Sequence, residues 1–417
     1  MATHKQRILI IGGGSRGTTY AERLARNGAT IVGLVEPDPA RRDAFVAGLP
    51  GHDIDFYPTW QDAAAITPRI ADAVVITTPD QLHAEPAIGF ARAGFNILLE
   101  KPMAPTEAEA VAIADAAAET GVMLAVCHVM RYSKYTEKFK ELVDSGVIGQ
   151  VVSVEHLEPI GWWHFAHSFV RGNWGLEATS APMLLAKSCH DIDWLAYMIG
   201  KKETKVSSFG NLFHFRPENK PAEAAHRCLE CPLQQTCAYS ATKIYRPLLG
   251  DPGREIWPLS VLTTDVTESG IAEALAHGPY GECVYNGQND VADHQVVIIE
   301  YEGGVTASFT AVAFTDLEFR KTRVFGTGGC IEGDGEELRV HEFSSNEKYA
   351  VNLNTSGDAS AADGHGGADE ALIVAFLKAL ETGDRSHLLS GAQESLRTHQ
   401  VVWKAEESRK TGHTQSF

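Results

Sequence analysis

The chain has 417 residues, a length that suits two to three domains at roughly 150 residues each and leaves ample material for a core. Hydrophobic residues make up 44% and charged residues 22%, an ordinary globular balance, and 38 Gly with 18 Pro are too few for a collagenous or low-complexity chain. A net charge of −18 argues against duplex nucleic acid or an anionic membrane as partner, since both need clustered positive charge, though a local pocket can oppose the global field.

The first 127 residues alternate strand and helix. Arg7–Ile11 is an apolar strand that runs into glycines, and Thr18–Asn27 reads as a helix stopped by Gly28. Thr30–Glu36, Asp72–Thr77, Asn96–Glu100 and Val122–Cys127 are further strands of buried type, separated by helices at Leu82–Ala93 and Thr106–Thr120. Such alternation implies right-handed βαβ crossovers and a parallel sheet with helices on both faces. After His128 the rhythm changes. Tyr135–Asp144 is helical, Gln150–Leu157 alternates as a half-buried strand, and Met183–Ile199 reads as one helix stopped by Gly200. Val206–Phe213, Gln295–Tyr301, Val305–Ala313 and Arg323–Phe325 are strands, with Gly303-Gly304 placed like a hairpin turn, so a mostly antiparallel sheet is expected. Residues 214–290 read as a long irregular insertion, 354–367 as a polar loop, and Asp369–Glu381 and Gln393–Ser408 as closing helices.

Gly12-Gly13-Gly14-Ser15-Arg16-Gly17 fits G-x-G-x-x-G, follows a strand, opens a helix and begins a βαβ unit. Gly12 permits the tight turn, Gly14 lets the backbone approach a pyrophosphate, and Gly17 lets the helix pack close to the strand. The helix N-terminus supplies free N–H groups and a positive dipole for the phosphates. Glu36 ends the second strand, 19 residues past Gly17, where a carboxylate accepts from ribose hydroxyls and repels a 2′-phosphate. NAD is therefore expected over NADP, with Arg41 and Arg42 as features that weaken the preference.

Glu100-Lys101-Pro102 follows the strand NILLE at the carboxyl edge of the parallel sheet. With GGGSRG before it, HVMRY (128–132) after it and the string TPDQLHAEPAIGFARAGFNILLEKP (78–102), the chain resembles the Gfo/Idh/MocA oxidoreductase family (glucose–fructose oxidoreductase, inositol dehydrogenase, rhizopine catabolism). The resemblance is strong over residues 5–150 and looser beyond. It implies an α/β Rossmann domain over 1–127, then an α+β domain with a large, mostly antiparallel open sheet over 128–417, interrupted by the Cys-containing insertion at about 214–290. It also implies NAD(P)-linked oxidation of a sugar or cyclitol hydroxyl, and a homodimer or homotetramer built through the open sheet face. Lys101 matches the family's active-site lysine, whose ammonium can steady the reacting oxygen, and Pro102 holds Lys101 extended. Ser15, Arg16, Thr78, Pro79, His83 and Glu100 stand where the resemblance places further cofactor contacts.

In PMLLAKSCHDIDW (182–194) the family's Asp four residues before its His is replaced by Ala186, while His190 is kept and Lys187 stands three before it. On one continuous helix those two share a face, so His190 is expected to be the general base, kept neutral by Lys187 and the cofactor's positive ring. The segment EPIGWWHFAHSFVRGNW (158–174) holds Trp162, Trp163, His164, His167, Arg171, Asn173 and Trp174, types that stack on sugars or read hydroxyls and an acidic group; a core-packing loop is the other reading. His294 could reach the same cleft or sit at a strand edge.

No run approaches the roughly 20 apolar residues that span a bilayer, and no secretory cleavage pattern follows the first strand, so a cytoplasmic protein is expected. Seven cysteines in that setting point to reduced thiols or a metal. Cys228, Cys231 and Cys237, with Cys283 as fourth ligand or His226 as runner-up, could form a structural zinc site; buried thiols, a disulfide or an iron–sulfur cluster are the alternatives. The leading function is NAD-dependent oxidation of a small carbohydrate, neutral or anionic. A redox-neutral NAD-dependent glycoside hydrolase is the alternative, and a catalytically silent NAD-binding sensor the third.

Overall fold

The computed structural model describes residues 5–353 and 364–417. Its chain forms two compact units, Met1–Glu137 with Gly367–Trp403, and Lys138–Gly366 with Lys404–Phe417. The N-terminal segment of the first unit runs to Glu137, past the expected boundary at residue 127, and residues 367–403, expected in the second domain, belong to the same unit. The physical reason is burial: Leu372, Ile373 and Phe376 are fully enclosed among Ile8, Ile10, Tyr20 and Leu24, each worth roughly 1.5–3 kcal/mol. The polar loop expected at 354–367 lies outside the described residues as far as 363, and the helix Gly364–Thr382 begins where its last residues were placed.

The first unit carries a six-stranded parallel sheet in the order Asp55–Tyr57, Thr30–Val35, Arg7–Ile11, Ala73–Ile76, Asn96–Leu99, Leu124–Val126. Asp55–Tyr57, short and half polar, was not anticipated. Alternate residues of each strand enter opposite cores. Leu9, Ile11, Val74, Ile76 and Ile97 pack with Phe90 and Ile113 of the helices Ala84–Arg92 and Glu107–Thr120. Ile8, Ile10, Ile31, Val75 and Leu98 pack on the other face with Leu24 of Ser15–Arg26 and with Phe376. The strand order reverses at the neighbouring first and fourth strands, where open α/β sheets bind ligands. Helix Glu107–Thr120 shows how local chemistry sets ends: the Thr106 hydroxyl accepts from the Glu109 amide, and Gly121 closes it at φ 68°.

The second unit is built on a nine-stranded sheet. Its order is Lys348–Asn352, Glu337–Glu342, Gly329–Gly333, Lys321–Gly326, Val151–Pro159, Thr306–Val312, His294–Tyr301, Glu203–Asn211, Gln415–Ser416. All neighbours are antiparallel except Val151–Pro159 with Thr306–Val312. Gly303 and Gly304 turn between two strands with φ of 78° and 80°, as their spacing predicted. The strands from 329 to 352 escaped the sequence reading because glycines and charges interrupt their apolar alternation. One sheet face is buried against the helix Cys189–Ile199, where His156 stacks on Trp194 at 4.8 Å. The opposite face presents Glu155, Ser308, Ile298 and Phe209, with Phe209 65% exposed. The insertion is not irregular: short helical segments enclose a small core of Tyr245, Leu259, Ile271, Leu275 and Tyr280, onto which Trp162 and Trp163 pack.

Candidate functional site

In the first unit the glycine loop has the shape its spacing implied. Gly12 sits at φ 99°, and a Cβ there would come within 3.0 Å of the Thr77 carbonyl. A Cβ on Gly17 would lie 1.9 Å from the Gly12 carbonyl oxygen, so only glycine permits this approach of helix to loop. A Cβ on Gly14 would meet nothing within 4 Å, which leaves the backbone open to a pyrophosphate. Gly14 also caps helix Ser15–Arg26 without a side-chain hydrogen bond, and Ser15 is exposed, so the first amides remain available to an anion. The Thr77 hydroxyl, unnoticed in the sequence, donates to the Ile11 and Gly12 carbonyls and locks the loop to the fourth strand.

Glu36 is 4% exposed. Its Oε2 accepts from the Gly13 amide at 2.8 Å and its Oε1 from the Asp38 amide at 3.0 Å, which fixes a carboxylate at the end of the second strand. Arg41 pairs with Asp38, and Arg42 donates to the Glu36 carbonyl and lies over the Phe56 ring. Both arginines thus have partners other than a 2′-phosphate. These residues fit NAD.

Arg16, Glu100 and His83, expected as cofactor contacts, also hold neighbouring turns together. Arg16 Nε donates to Glu100 Oε1 at 2.7 Å, and its amino groups grip Asp369 at 2.8 and 3.1 Å. The guanidinium also donates to the Tyr20 hydroxyl and lies over that ring. Glu100 Oε2 accepts from the Lys101 amide at 2.5 Å. Burial opposes ionisation of Glu100, but the charges of Arg16 and Lys101 prevail and hold it below the usual carboxylate range. Arg16 and Glu100 thus tie the glycine loop, the Glu-Lys-Pro turn and the helix Gly364–Thr382 together. The buried His83 ring places its nitrogens 2.8 Å from the Pro102 carbonyl and 2.9 Å from that of Thr78, cross-linking two turns at the sheet's carboxyl edge. Thr78 donates to the Leu82 carbonyl, and Pro79 precedes the short turn Asp80–Leu82. Lys101 is half-buried, and the Lys101–Pro102 peptide is cis. His399 accepts the Met103 amide at 3.0 Å and so anchors the chain after this turn.

In the second unit the expected helix Met183–Ile199 is two helices, Met183–Ala186 and Cys189–Ile199, broken at Lys187 and Ser188, where Ser188 adopts φ −110° and ψ 11°. Lys187 and His190 therefore do not share one continuous helix, on which the same-face expectation was based. Lys187 Nζ lies 3.1 Å from Glu158 Oε1. His190 is 5% exposed in the first turn of the second helix. The next residue, Asp191, is wholly buried, 3.1 Å from His156 Nε2 and 2.9 Å from Arg320 Nε. Despite burial, Arg320 and His156 hold the Asp191 carboxyl far below its ordinary range. Arg320 also faces Glu158 Oε2 at 2.6 Å. Glu158, Asp191, Arg320 and His156 were not assigned from the sequence, because their meeting depends on sheet register rather than chain proximity.

The aromatic segment divides. Trp163 is half-buried and meets Trp257 of the insertion at 5.2 Å. His164, also half-buried, has Nδ1 3.1 Å from the Ile160 carbonyl, which sets Nδ1 as the protonated nitrogen. Burial and the charge of Lys187, with smaller contributions from His167 and Arg320, hold His164 well below the ordinary histidine value. Trp174 is 38% exposed. His167 is buried against Tyr280 and bonded to Tyr245, and burial lowers its pKa to about 3. Arg171, expected to read an acidic group, is 4% exposed and donates to the carbonyls of Glu282 and Tyr239. It clamps the insertion rather than facing solvent. His294 pairs with Asp293, whose other oxygen accepts from the amides of Phe213 and His214.

Cys228 is buried, Cys231, Cys237 and Cys283 are half-buried, and all four are free thiols. Burial first, and the neighbouring thiols of Cys228 and Cys283 in smaller part, raise the Cys237 thiol. Yet among the described residues no group of three or more His, Cys, Asp or Glu side chains is placed to hold a metal ion, so the expected zinc site has no support. Arg171, donating to the Cys228 sulfur at 3.5 Å, occupies part of the ground between them.

A parallel sheet with an open glycine loop, a fixed carboxylate at the end of its second strand and a lysine turn at its carboxyl edge defines an NAD-dependent oxidoreductase. Residues 6–128 match the NAD-binding Rossmann fold of the Gfo/Idh/MocA oxidoreductase family, and residues 140–416 match that family's C-terminal alpha/beta domain. The chain belongs to the Gfo/Idh/MocA family. Bacillus subtilis (strain 168) YteT is 24% identical over 406 residues, covering 91% of this chain and 90% of its own. An inositol 2-dehydrogenase of Streptomyces avermitilis is 30% identical over 203 residues, 48% of this chain and 55% of that one. The structure of a levoglucosan dehydrogenase in complex with NADH and levoglucosan superposes with a TM-score of 0.69 at 17% identity, covering 99% of both chains, which is a likeness of fold. Among the described residues no helix is long and apolar enough to cross a membrane.

Proposed function

We propose that this enzyme removes hydride from one hydroxyl-bearing carbon of a sugar or sugar derivative. The observation that carries the reading is the Glu100-Lys101-Pro102 turn, bound through Glu100 and Arg16 to the open glycine loop. The inositol and levoglucosan dehydrogenases among its relatives support a carbohydrate substrate. NAD, when bound, supplies the hydride acceptor, and Glu36 favours it over NADP. Lys101 hydrogen-bonds the reacting oxygen and stabilises its alkoxide character. His190 takes the hydroxyl proton. The test is absorbance at 340 nm with NAD and a panel of sugars, cyclitols and sugar acids. Wild type should form NADH with at least one of them, and His190→Ala and Lys101→Ala should each lose roughly 100-fold or more in kcat. Full turnover in His190→Ala would remove it as the base.

A second reading, redox-neutral glycoside cleavage, draws on His164, an imidazole that burial and Lys187 hold neutral and whose Nε2 has no partner among the described residues. Phenol release from an aryl glycoside without net NADH would favour it. The exposed Phe209 and Ile298 on the open sheet face support a homodimer or homotetramer, which light scattering would measure. Seven free cysteines support a reducing, cytoplasmic setting.

A further inference from the structure

The second unit contains a small charge network with a definite polarity. Its acids lie behind: Glu158 is 1% exposed and Asp191 0%. Its cations lie in front, with the Lys187 and Arg320 side chains retaining 16% and 11% exposure. Glu158 faces both Lys187 Nζ and Arg320 Nε, and Asp191 takes the Nε and one amino group of Arg320. The second amino group of Arg320 has no hydrogen-bond partner among the described residues. The acids therefore hold the cations in fixed directions, and the side that remains accessible is the positive one. His164 belongs to the same neighbourhood, since Lys187 and Arg320 both help to keep its ring neutral. With its Nδ1 hydrogen directed at the Ile160 carbonyl, Nε2 remains an acceptor. Trp257 meets that ring edge-on at 5.0 Å and supplies an apolar wall.

We propose that Lys187 and the outer amino group of Arg320 bind a carboxylate of the substrate, so that the enzyme acts on a carboxylated sugar such as a uronate, while His164 Nε2 accepts from one of its hydroxyls. The inference rests on the reading above that His190, in this unit, takes the proton of a sugar hydroxyl. A carboxylate fits better than a phosphate because the network is neutral overall: two cations already face two acids, and the second charge of a phosphate dianion would be repelled by Glu158 and Asp191. It also moves anion recognition from Arg171, which is 4% exposed and whose Nε and one amino group donate to backbone carbonyls, to cations that keep more exposure.

The experiment uses the full chain loaded with NAD. D-glucose, D-glucuronate and glucose 6-phosphate, and the matching galactose series, are compared by calorimetric titration and by NADH formation. A charged hydrogen bond is worth about tenfold or more in affinity, so at least one uronate should bind about 30-fold tighter than its neutral counterpart and tighter than the phosphate. Raising the ionic strength should weaken that uronate selectively. Lys187→Gln should shrink the ratio toward one, and Lys187→Arg should restore it. Neutral sugars binding as well as uronates, phosphates binding tighter, or Lys187→Gln keeping the full ratio would each overturn the inference. NADH formed from neutral sugars alone overturns it while leaving the dehydrogenase reading intact. Selective uronate binding without NADH from any compound supports it and sinks the dehydrogenase reading instead.

Discussion

Two glycines three positions apart, Gly14 at the N-cap of the first helix and Gly17 within it, separate folding from cofactor binding. An alanine at Gly17 would place Cβ 1.9 Å from the Gly12 carbonyl oxygen, where real contacts begin near 3.0 Å. Helix Ser15–Arg26 would have to withdraw by about 1 Å from a backbone atom that cannot rotate away, and overpacking of this kind costs roughly 1–3 kcal/mol or more. At Gly14 the same methyl meets nothing within 4 Å, and the backbone there (φ −74°, ψ −173°) accepts any residue. Gly14→Ala should therefore stay within about 1 kcal/mol of wild type, the modest loss of a glycine N-cap. Its methyl would occupy the pyrophosphate's approach, so the Kd for NAD should rise tenfold or more. Urea unfolding followed by circular dichroism gives the stability arm, and calorimetric titration with NAD gives the binding arm. Gly14→Ala binding NAD as wild type does would show that the open space is not the phosphate site. Gly17→Ala unfolding at the wild-type urea midpoint would show that the close approach is dispensable.

Other consequences can be measured separately. Glu36→Gln keeps an acceptor for the Gly13 amide but removes the charge, so the NADP-to-NAD ratio of Kd values should fall about tenfold, and an unchanged ratio would clear Glu36 of discrimination. Asp369→Asn leaves Arg16 paired with Glu100 and should cost about 1.5–3 kcal/mol. Arg16→Met strands two carboxylates and should cost about 3–5 kcal/mol, and urea midpoints in the reverse order would contradict the network. His167 has a folded pKa near 3 against about 6.5 unfolded, so the unfolded chain binds the extra proton first as the pH falls. Its contribution is complete above about pH 7.5, has dropped by about 1.4 kcal/mol at pH 5.5, and keeps falling toward pH 3. His167→Phe should flatten this part of the stability–pH curve, and an unaltered slope would refute the assignment.

The dinucleotide loop was legible because its chemistry is local. Gly12, Gly14 and Gly17 act through their own backbones, and Glu36 lies one strand away, so spacing alone carries the geometry. The limits appear where a residue's partner is distant in the chain. Arg16 read as a cofactor contact, and spacing could not show that Asp369, 353 positions away, also holds its guanidinium. Arg171 looked like an acid reader until the insertion folded its carbonyls around it. Lys187 was placed by helical periodicity, and one non-helical residue, Ser188, was enough to break that relation. The cysteine spacing suggested zinc, but spacing does not aim thiolates.

What the amino-acid sequence determined by itself is the Rossmann architecture, the NAD loop, the Glu-Lys-Pro turn and the family, all written in contiguous motifs with short-range causes. Tertiary structure alone decided which charges meet. It drew residues 367–403 back to the first unit through the burial of Leu372, Ile373 and Phe376, and it brought Glu158, Asp191, Arg320 and Lys187 together through sheet register. Such pairings are fixed by cores that form from both ends of a chain, and a local pattern of residues does not contain them.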